Sequence, residues 1–297
     1  MMGRNMTLQT KQKESRLRGT ARFPFELYEM RTNGELIDVS CHWQDDMEIL
    51  YVYNGIVEVW TTERTVQLAK DEIAFISPRQ MHGIKGLTSD ASYDAYVFPL
   101  QHLTFEKKEE DESAFLQPLI DGLLMFPLCL DPCSELYYKI NLVVRKLLSV
   151  NREKRAGFQL LTKAYLLELI AAAGEAQVLL PCRTSPQDDT CRRILAYIDT
   201  HYSEKITIQT IAAEVGLSPA YFSAFFSEHF RRGFSEYLLK YRLEQAQLLL
   251  DSVSVTITDI AYRTGFSSVS YFIDRFKLMK GCTPYQYRKK RRDGLLP

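Results

Sequence analysis

Ile208-Gln-Thr-Ile-Ala-Ala-Glu-Val-Gly216-Leu-Ser-Pro-Ala-Tyr-Phe222-Ser-Ala-Phe-Phe226 and Ile257-Thr-Asp-Ile-Ala-Tyr-Arg-Thr-Gly265-Phe-Ser-Ser-Val-Ser-Tyr-Phe272-Ile-Asp-Arg-Phe276 are two versions of one pattern. In each, apolar residues three apart predict a short helix. Ile211 with Ala212, and Ile260 with Ala261, would bury that helix against the next, the small Ala allowing close approach. Gly216 and Gly265 stand where the first helix must end, a place that favours a left-handed residue. Ser218 and Ser267 are placed to N-cap the second helix. The pairs Phe222/Phe226 and Phe272/Phe276 would fix that second helix by its buried face. The pattern reads as a helix-turn-helix, whose second helix enters the major groove of DNA. Two copies in tandem make the reading specific.

Phe234–Leu250 between the copies has no Gly or Pro and predicts a continuous helix. At 1.5 Å per residue it spans roughly 26 Å. Successive major-groove windows on one DNA face lie about 34 Å apart, so such a rod can hold two recognition helices in consecutive grooves. With the Phe pairs inward, the first recognition helix offers Ala220, Ser223, Ala224 and Ser227 to the groove, and the second Val269, Ser270, Ile273 and Asp274. The first set suits thymine methyls and single hydroxyl bonds better than bidentate base contacts. Asp274 could accept from cytosine N4, but an ion pair with Lys277 or Lys240, or a repulsive role, is favoured. Lys277, Arg288, Lys289 and the rest of the basic run Arg288-Lys-Lys-Arg-Arg292 are read as phosphate contacts.

The chain has 297 residues, which predicts two domains. Net charge is zero, yet it is unevenly spread. Residues 1–22 carry six basic residues and one acidic; 23–185 carry 15 and 24; 186–297 carry 16 and 12. An acidic body with a basic C-terminal third fits a sensor joined to a nucleic-acid binder. Residues 1–22 read as a flexible basic arm. Residues 23–180 form the first domain, 181–190 a Pro- and polar-rich linker, and 191–292 the helical DNA-binding domain. Within the first domain, Ile49–Tyr53, Ile56–Trp60 and Ile73–Ile76 predict short strands of a sandwich or small barrel. Asn54-Gly55 predicts a hairpin between the first two. Two helices should follow, over Glu135–Val150 and Phe158–Ala173. Their buried stripes would be Leu136, Ile140, Val143, Val144 and Leu147, and Leu160, Leu161, Ala164, Leu167 and Ile170. They pack on the strands or against a second copy.

The span from about Thr190 to Arg292 resembles the DNA-binding domain of the AraC/XylS family of bacterial transcription regulators. The residues that carry the likeness are Arg242-Leu243-xx-Ala246, Ile257-xx-Ile-Ala-xxx-Gly-Phe, Tyr271-Phe272-xxx-Phe276-Lys277, Gly281, Pro284 and Tyr287-Arg288. One departure is Arg231 where the family has Gly. The strand domain is similar to the cupin-type sensor that often precedes this module, through His42-Trp-Gln44-xxx-Glu48, Gly55 and Pro78-xxx-His82. Gln44 replaces the second His of the metal-binding cupin motif, and Asp71 replaces the Gly that opens its second part. Because Gln is a poor ligand, no metal is expected. His42, Gln44, Glu48 and His82 are instead expected to line a small-molecule pocket or to be capped structural residues. The implied fold is α+β and multidomain: a cupin-like β-barrel with a helical hairpin, then an all-α domain with two helix-turn-helix motifs. The implied partners are double-stranded promoter DNA, a small effector such as a sugar, RNA polymerase and a second copy of the chain. The implied outcome is activation.

Several classes are set aside. No apolar run reaches about 18 residues, so no membrane span is expected, and no signal-peptide core is visible at the N-terminus; the cytosol is the expected compartment. The six cysteines show no CxxC pair and are expected as free thiols. A phosphate-binding Gly-rich loop, an HExxH and a GxSxG elbow are all missing, so neither catalytic residues nor a cofactor are expected.

Overall fold

The structure is a computed structural model that describes residues 18–32, 36–107, 109–182, 185–250 and 255–293. These fall into two compact units that divide between Asp189 and Thr190.

The first unit opens with eight strands: β1 (Glu26–Arg31), β2 (Asp38–His42), β3 (Met47–Asn54), β4 (Val57–Thr61), β5 (Thr65–Leu68), β6 (Ile73–Ile76), β7 (His82–Gly86) and β8 (Ser92–Phe98). They form two four-stranded antiparallel sheets, ordered β1-β8-β3-β6 and β2-β7-β4-β5. This is the cupin-like strand domain, present as two sheets that share no hydrogen-bonded strand pair among the described residues. Side chains alternate across each strand. From β3, Leu50 and Val52 point between the sheets and pack with Val57, Val59 and Ile84 of the opposite one. Met47, Ile49 and Tyr51 point the other way, into a core shared with two long helices.

The Asn54-Gly55 hairpin is not formed. β3 bonds to β6 and β8, and β4 bonds to β5 and β7, so the two flanking strands lie in different sheets. Both edges of β3 are already occupied. Gly55 (φ +68) turns the chain from one sheet to the other under tight packing: an added Cβ would lie 2.8 Å from Ala91 Cα.

Helix α1 (Gln117–Asp121) leads to strand β9 (Leu124–Met125). Helices α2 (Glu135–Glu153) and α3 (Phe158–Glu175) follow, and strand β10 (Leu180–Pro181) pairs back on β9. Ser134 caps α2 by accepting from Tyr137 N, and its inward residues Ile140, Val143, Val144 and Leu147 are those the periodicity gives. Of the stripe expected on α3, only Ile170 is buried. Leu160, Leu161 and Ala164 are exposed and Leu167 is half-buried. The buried face is Thr162, Leu166, Leu169, Ile170 and Ala173. Helix α3 is apolar almost all round, so spacing alone cannot set its rotation. A buried polar network sets it instead. The Tyr96 hydroxyl donates to Asn151 Oδ1 (3.0 Å), and Asn151 Nδ2 donates to Thr162 Oγ1 (2.9 Å) and to the Leu147 carbonyl (2.9 Å).

The arm and linker boundaries shift as well. Residues 1–17 lie outside the described residues. Arg18 to Arg22, however, belong to the sheet unit: Thr20 bridges to Phe23, and the Arg18 side chain is buried. Of the expected linker, Pro186 onward is already the first turn of helix α4 (Pro186–His201).

In the second unit, α4 is followed by α5 (Ile208–Val215), α6 (Pro219–Phe230), α7 (Phe234–Leu250), α8 (Ile257–Arg263), α9 (Val269–Lys280) and α10 (Pro284–Arg292). The basic C-terminal run is the body of α10, begun by a Thr283/Gln286 capping box.

The Asn151 network yields a stability prediction. Asn151→Ala leaves the Tyr96 and Thr162 hydroxyls buried without that partner, so urea unfolding of the protein should show a loss of about 1–3 kcal/mol.

Candidate nucleic-acid interface and effector site

Both repeats fold as the expected helix-turn-helix. Thr207 opens α5 with a capping box, and Gly216 (φ 76) closes it in the left-handed region. Ser218 caps α6, accepting from Tyr221 N. Phe222, Phe226 and Phe230 are fully buried, and the rings of Phe226 and Phe230 stack 4.1 Å apart. In the second copy Thr256 caps α8 and Gly265 has φ +83. The cap of α9 is Ser268 rather than Ser267. The extra residue after the turn moves the capping position by one. Phe272 and Phe276 are buried with Phe266 and Tyr287 in a second aromatic core.

Arg231 stands in for the family Gly by adopting the left-handed conformation itself (φ 56) at the end of α6. Asp71 does the same (φ 66) in the sheet unit. There the turn is held from outside. The Asp71 carboxylate accepts from the Tyr51 hydroxyl (2.6 Å), and its carbonyl accepts from the Tyr137 hydroxyl (2.6 Å) and Asn141 Nδ2 (2.7 Å). Asp is among the few side chains that visit this region readily.

On α6, Ala220, Ala224 and Ser227 are exposed and Ser223 is half-buried. The Ser223 hydroxyl donates to the Pro219 carbonyl of its own helix (2.9 Å). On α9, Ser270, Asp274 and Lys277 are exposed, whereas Val269 and Ile273 are half-buried and pack against the second core. Lys289 is exposed on α10. Arg288 does not fit the phosphate role expected of it. Its Nε donates to the Leu250 carbonyl (3.2 Å) and its Nη2 to the Val255 carbonyl (2.7 Å), so it ties α10 to the ends of α7 and of the loop before α8.

Two residues have places in the structure that the sequence reading assigned to neither of them. Arg242 on α7 sends Nε to the Tyr202 carbonyl (2.7 Å) and Nη2 to the Glu204 carbonyl (2.6 Å). Its burial pushes the guanidinium pKa down. Arg275 is exposed on α9, with its guanidinium over the Tyr271 ring at 5.0 Å. The signal for Arg275 was its position beside Asp274 on the recognition helix. Arg242 stands in the sequence only as part of the family likeness, and spacing alone does not show which distant carbonyls it reaches.

In the sheet unit the structure gathers all four predicted effector residues. His42 and His82 are cross-strand partners on β2 and β7. Their rings lie 4.3 Å apart. Glu48 lies on the same face of β3 as Leu50 and Val52, so it enters the space between the sheets. Its Oε2 is 3.4 Å from His82 Nε2 and accepts from Gln44 Nε2 (2.9 Å). Gln44 Oε1 accepts from Arg18 (2.6 Å), and Arg18 also pairs with Asp46. Gln44, Glu48, His82 and Arg18 are all buried. Burial pushes the Glu48 carboxyl up, but the hydrogen bond and charge of His82, with His42 and Arg18, outweigh it and hold the group below the ordinary carboxylate value.

Comparisons with known proteins agree with both units. Residues 24–170 match the family model described as the AraC-like ligand binding domain, and residues 211–290 match a helix-turn-helix domain. The HTH-type transcriptional regulator YdeC of Bacillus subtilis is 22% identical over 289 residues, covering 96% of this chain and 99% of YdeC. The regulatory protein PocR of Salmonella typhimurium is 35% identical over 106 residues, covering 36% of this chain and 35% of PocR. The crystal structure of ToxT from Vibrio cholerae aligns over 91% of this chain and 98% of its own, at 16% identity and a TM-score of 0.45. The order of the units, an AraC-like ligand-binding domain followed by a DNA-binding helix-turn-helix domain, is that of a transcription regulator. The chain thus carries an AraC-like ligand-binding domain and a helix-turn-helix domain, as regulators of the AraC/XylS family do. No described helix is long and apolar enough to cross a membrane.

Gly265 tests the second turn. A Cβ there would lie 2.5 Å from the Tyr202 carbonyl and 2.8 Å from Arg242 Nε, at a positive φ. Gly265→Ala should therefore lower the stability of the helical unit by about 1–3 kcal/mol in denaturant and reduce DNA affinity in parallel. The same substitution at Gly216, where nothing lies within 4 Å, should cost less.

Proposed function

We propose that the chain is a sequence-specific activator of transcription whose effector is a sugar or related metabolite bound in the sheet unit at His42, Gln44, Glu48 and His82. The observation that carries the reading is the pairing of two exposed recognition helices in one unit with a buried cluster of polar side chains in the other. Buried polar groups cost free energy unless they are satisfied. A cluster of four at one end of an otherwise apolar sandwich suits recognition of a small hydroxylated molecule. The chain acts as a dimer through the outer faces of α2 and α3. Tyr138, Leu142, Leu160 and Leu161 are large, apolar and exposed there, which supports the reading. RNA polymerase is the further partner, and the protein works in the cytosol without catalysing a reaction.

On DNA, affinity is mainly electrostatic. Lys277 and Lys289 are the phosphate contacts retained, with Lys290 and Arg292 also exposed on α10. Base-edge contacts come from Ala220, Ser223, Ala224 and Ser227, and from Ser270 and Asp274, with Val269 and Ile273 reaching the groove from partly packed positions.

The reading is tested by fluorescence anisotropy on promoter fragments at several salt concentrations. Lys277→Gln with Lys289→Gln should weaken binding to all sequences alike and reduce the salt slope by roughly 2. Ala224→Leu should change preference at one base step and leave the slope alone. Binding with no preference over random duplex at physiological salt would defeat the proposal. Thermal unfolding against a panel of sugars tests the effector part, since ligand at 100 times its dissociation constant stabilises by about 2.7 kcal/mol.

A further inference from the structure

The geometry points to a divalent transition-metal site in the sheet unit, with His42, Glu48 and His82 as ligands and Gln44 as the residue that positions Glu48. It occupies the same end of the sandwich as the proposed effector site. It does not rest on that reading, because metal binding is measured directly.

Three observations carry it. First, one ligand atom from each of His42, Glu48 and His82 lies within 4.8 Å of the others. The Glu48–His82 separation is 3.4 Å. A tetrahedral ion with bonds of about 2.0–2.2 Å holds its ligand atoms roughly 3.3–3.6 Å apart. Second, both imidazoles are set as ligands are set. His82 Nδ1 donates to the Gln80 carbonyl and His42 Nδ1 to the Ser40 carbonyl, each at 2.9 Å. A carbonyl only accepts, so Nδ1 carries a proton, and in the neutral imidazole Nε2 keeps the lone pair that a metal would take. This is the outer hydrogen bond that fixes tautomer and ring orientation in histidine metal sites. Third, His82 Nε2 is fully buried and lies 3.4 Å from Glu48 Oε2. With the imidazole neutral, the pair is two acceptors facing each other in a dry site, a gap filled either by a proton on Nε2 or by a metal cation bound in its place.

Gln44 then has a defined part. Both ends of its amide are engaged, Oε1 with Arg18 and Nε2 with Glu48 Oε2. It is not a ligand but a strut that turns the Glu48 carboxylate toward the imidazoles. Two imidazoles and one carboxylate suit zinc, nickel or ferrous iron better than calcium or magnesium. Three protein ligands leave a coordination position that an effector oxygen can take.

The test is a cobalt(II) titration of chelator-treated full-length protein, followed by visible absorption and by zinc competition. One equivalent should bind per chain with a d–d band and no thiolate charge-transfer band. His42→Ala and His82→Ala should each abolish stoichiometric binding while their far-UV circular dichroism stays that of the parent; His42, being half-buried, is the variant least exposed to misfolding. Gln44→Ala should raise the dissociation constant by about 10–100-fold. Gln44→His should restore or tighten it and shift the d–d band, which a merely structural role would not do. The inference is overturned by an absence of stoichiometric binding, by a thiolate charge-transfer band reporting cysteine ligation, or by binding that survives in the His42→Ala/His82→Ala double variant.

Discussion

Strand β3 has hydrogen-bonded neighbours on both edges and packed side chains on both faces, and the rest of the sheet unit is arranged around that constraint. Its odd-numbered residues Met47, Ile49 and Tyr51 belong to the core under α2 and α3, and its even-numbered Leu50 and Val52 to the core between the sheets. Each fully buried large side chain contributes about 1.5–3 kcal/mol, so the strand anchors two cores at once. The same alternation carries Glu48 into the interior, where an unpaired carboxylate would be costly. The histidines of β2 and β7, Gln44 and Arg18 surround it there. A one-residue slip of register would bury Glu48 against the helices and expel Met47, Ile49 and Tyr51 from their core.

In the helical unit the comparable constraint is the closing of chain ends. Arg242 and Arg288 each hold two backbone carbonyls that lie far from them in sequence. An arginine with several fixed donors can serve two carbonyls at once. These residues lie in the parts of the sequence most like the family, and each ties together backbone segments within the unit. The two aromatic cores then set the rotation of α6 and α9, which decides the side chains presented to a groove.

Much of this was legible in the residues themselves. The doubled pattern of apolar residues, Gly and Phe gave both helix-turn-helix motifs, because capping and left-handed closure are local effects. His42, Gln44, Glu48 and His82, which spacing and resemblance pick out, lie together in the fold. The misses have one origin. The Asn54-Gly55 turn looks like a hairpin locally, but which sheet receives the next strand depends on which edges are free. Helix α3 is apolar on nearly every side, so its rotation waits on a buried Asn from another helix. Arg288 carries a charge that suits phosphate and a position that suits carbonyls. Gln44 looked like a ligand lost, and its amide turns out to join Arg18 to Glu48.

The sequence by itself therefore determined both helix-turn-helix motifs, the helix between them, three of the strands and the charge division, since caps, turns and periodicity act among residues near one another along the chain. Tertiary structure alone decided the pairing of β3 and β4 with different sheets, the face that α3 buries, the inward use of two arginines, and the meeting of His42, Glu48 and His82. Those depend on residues distant in sequence competing for the same edges, donors and space, and that competition is resolved only when the whole unit packs.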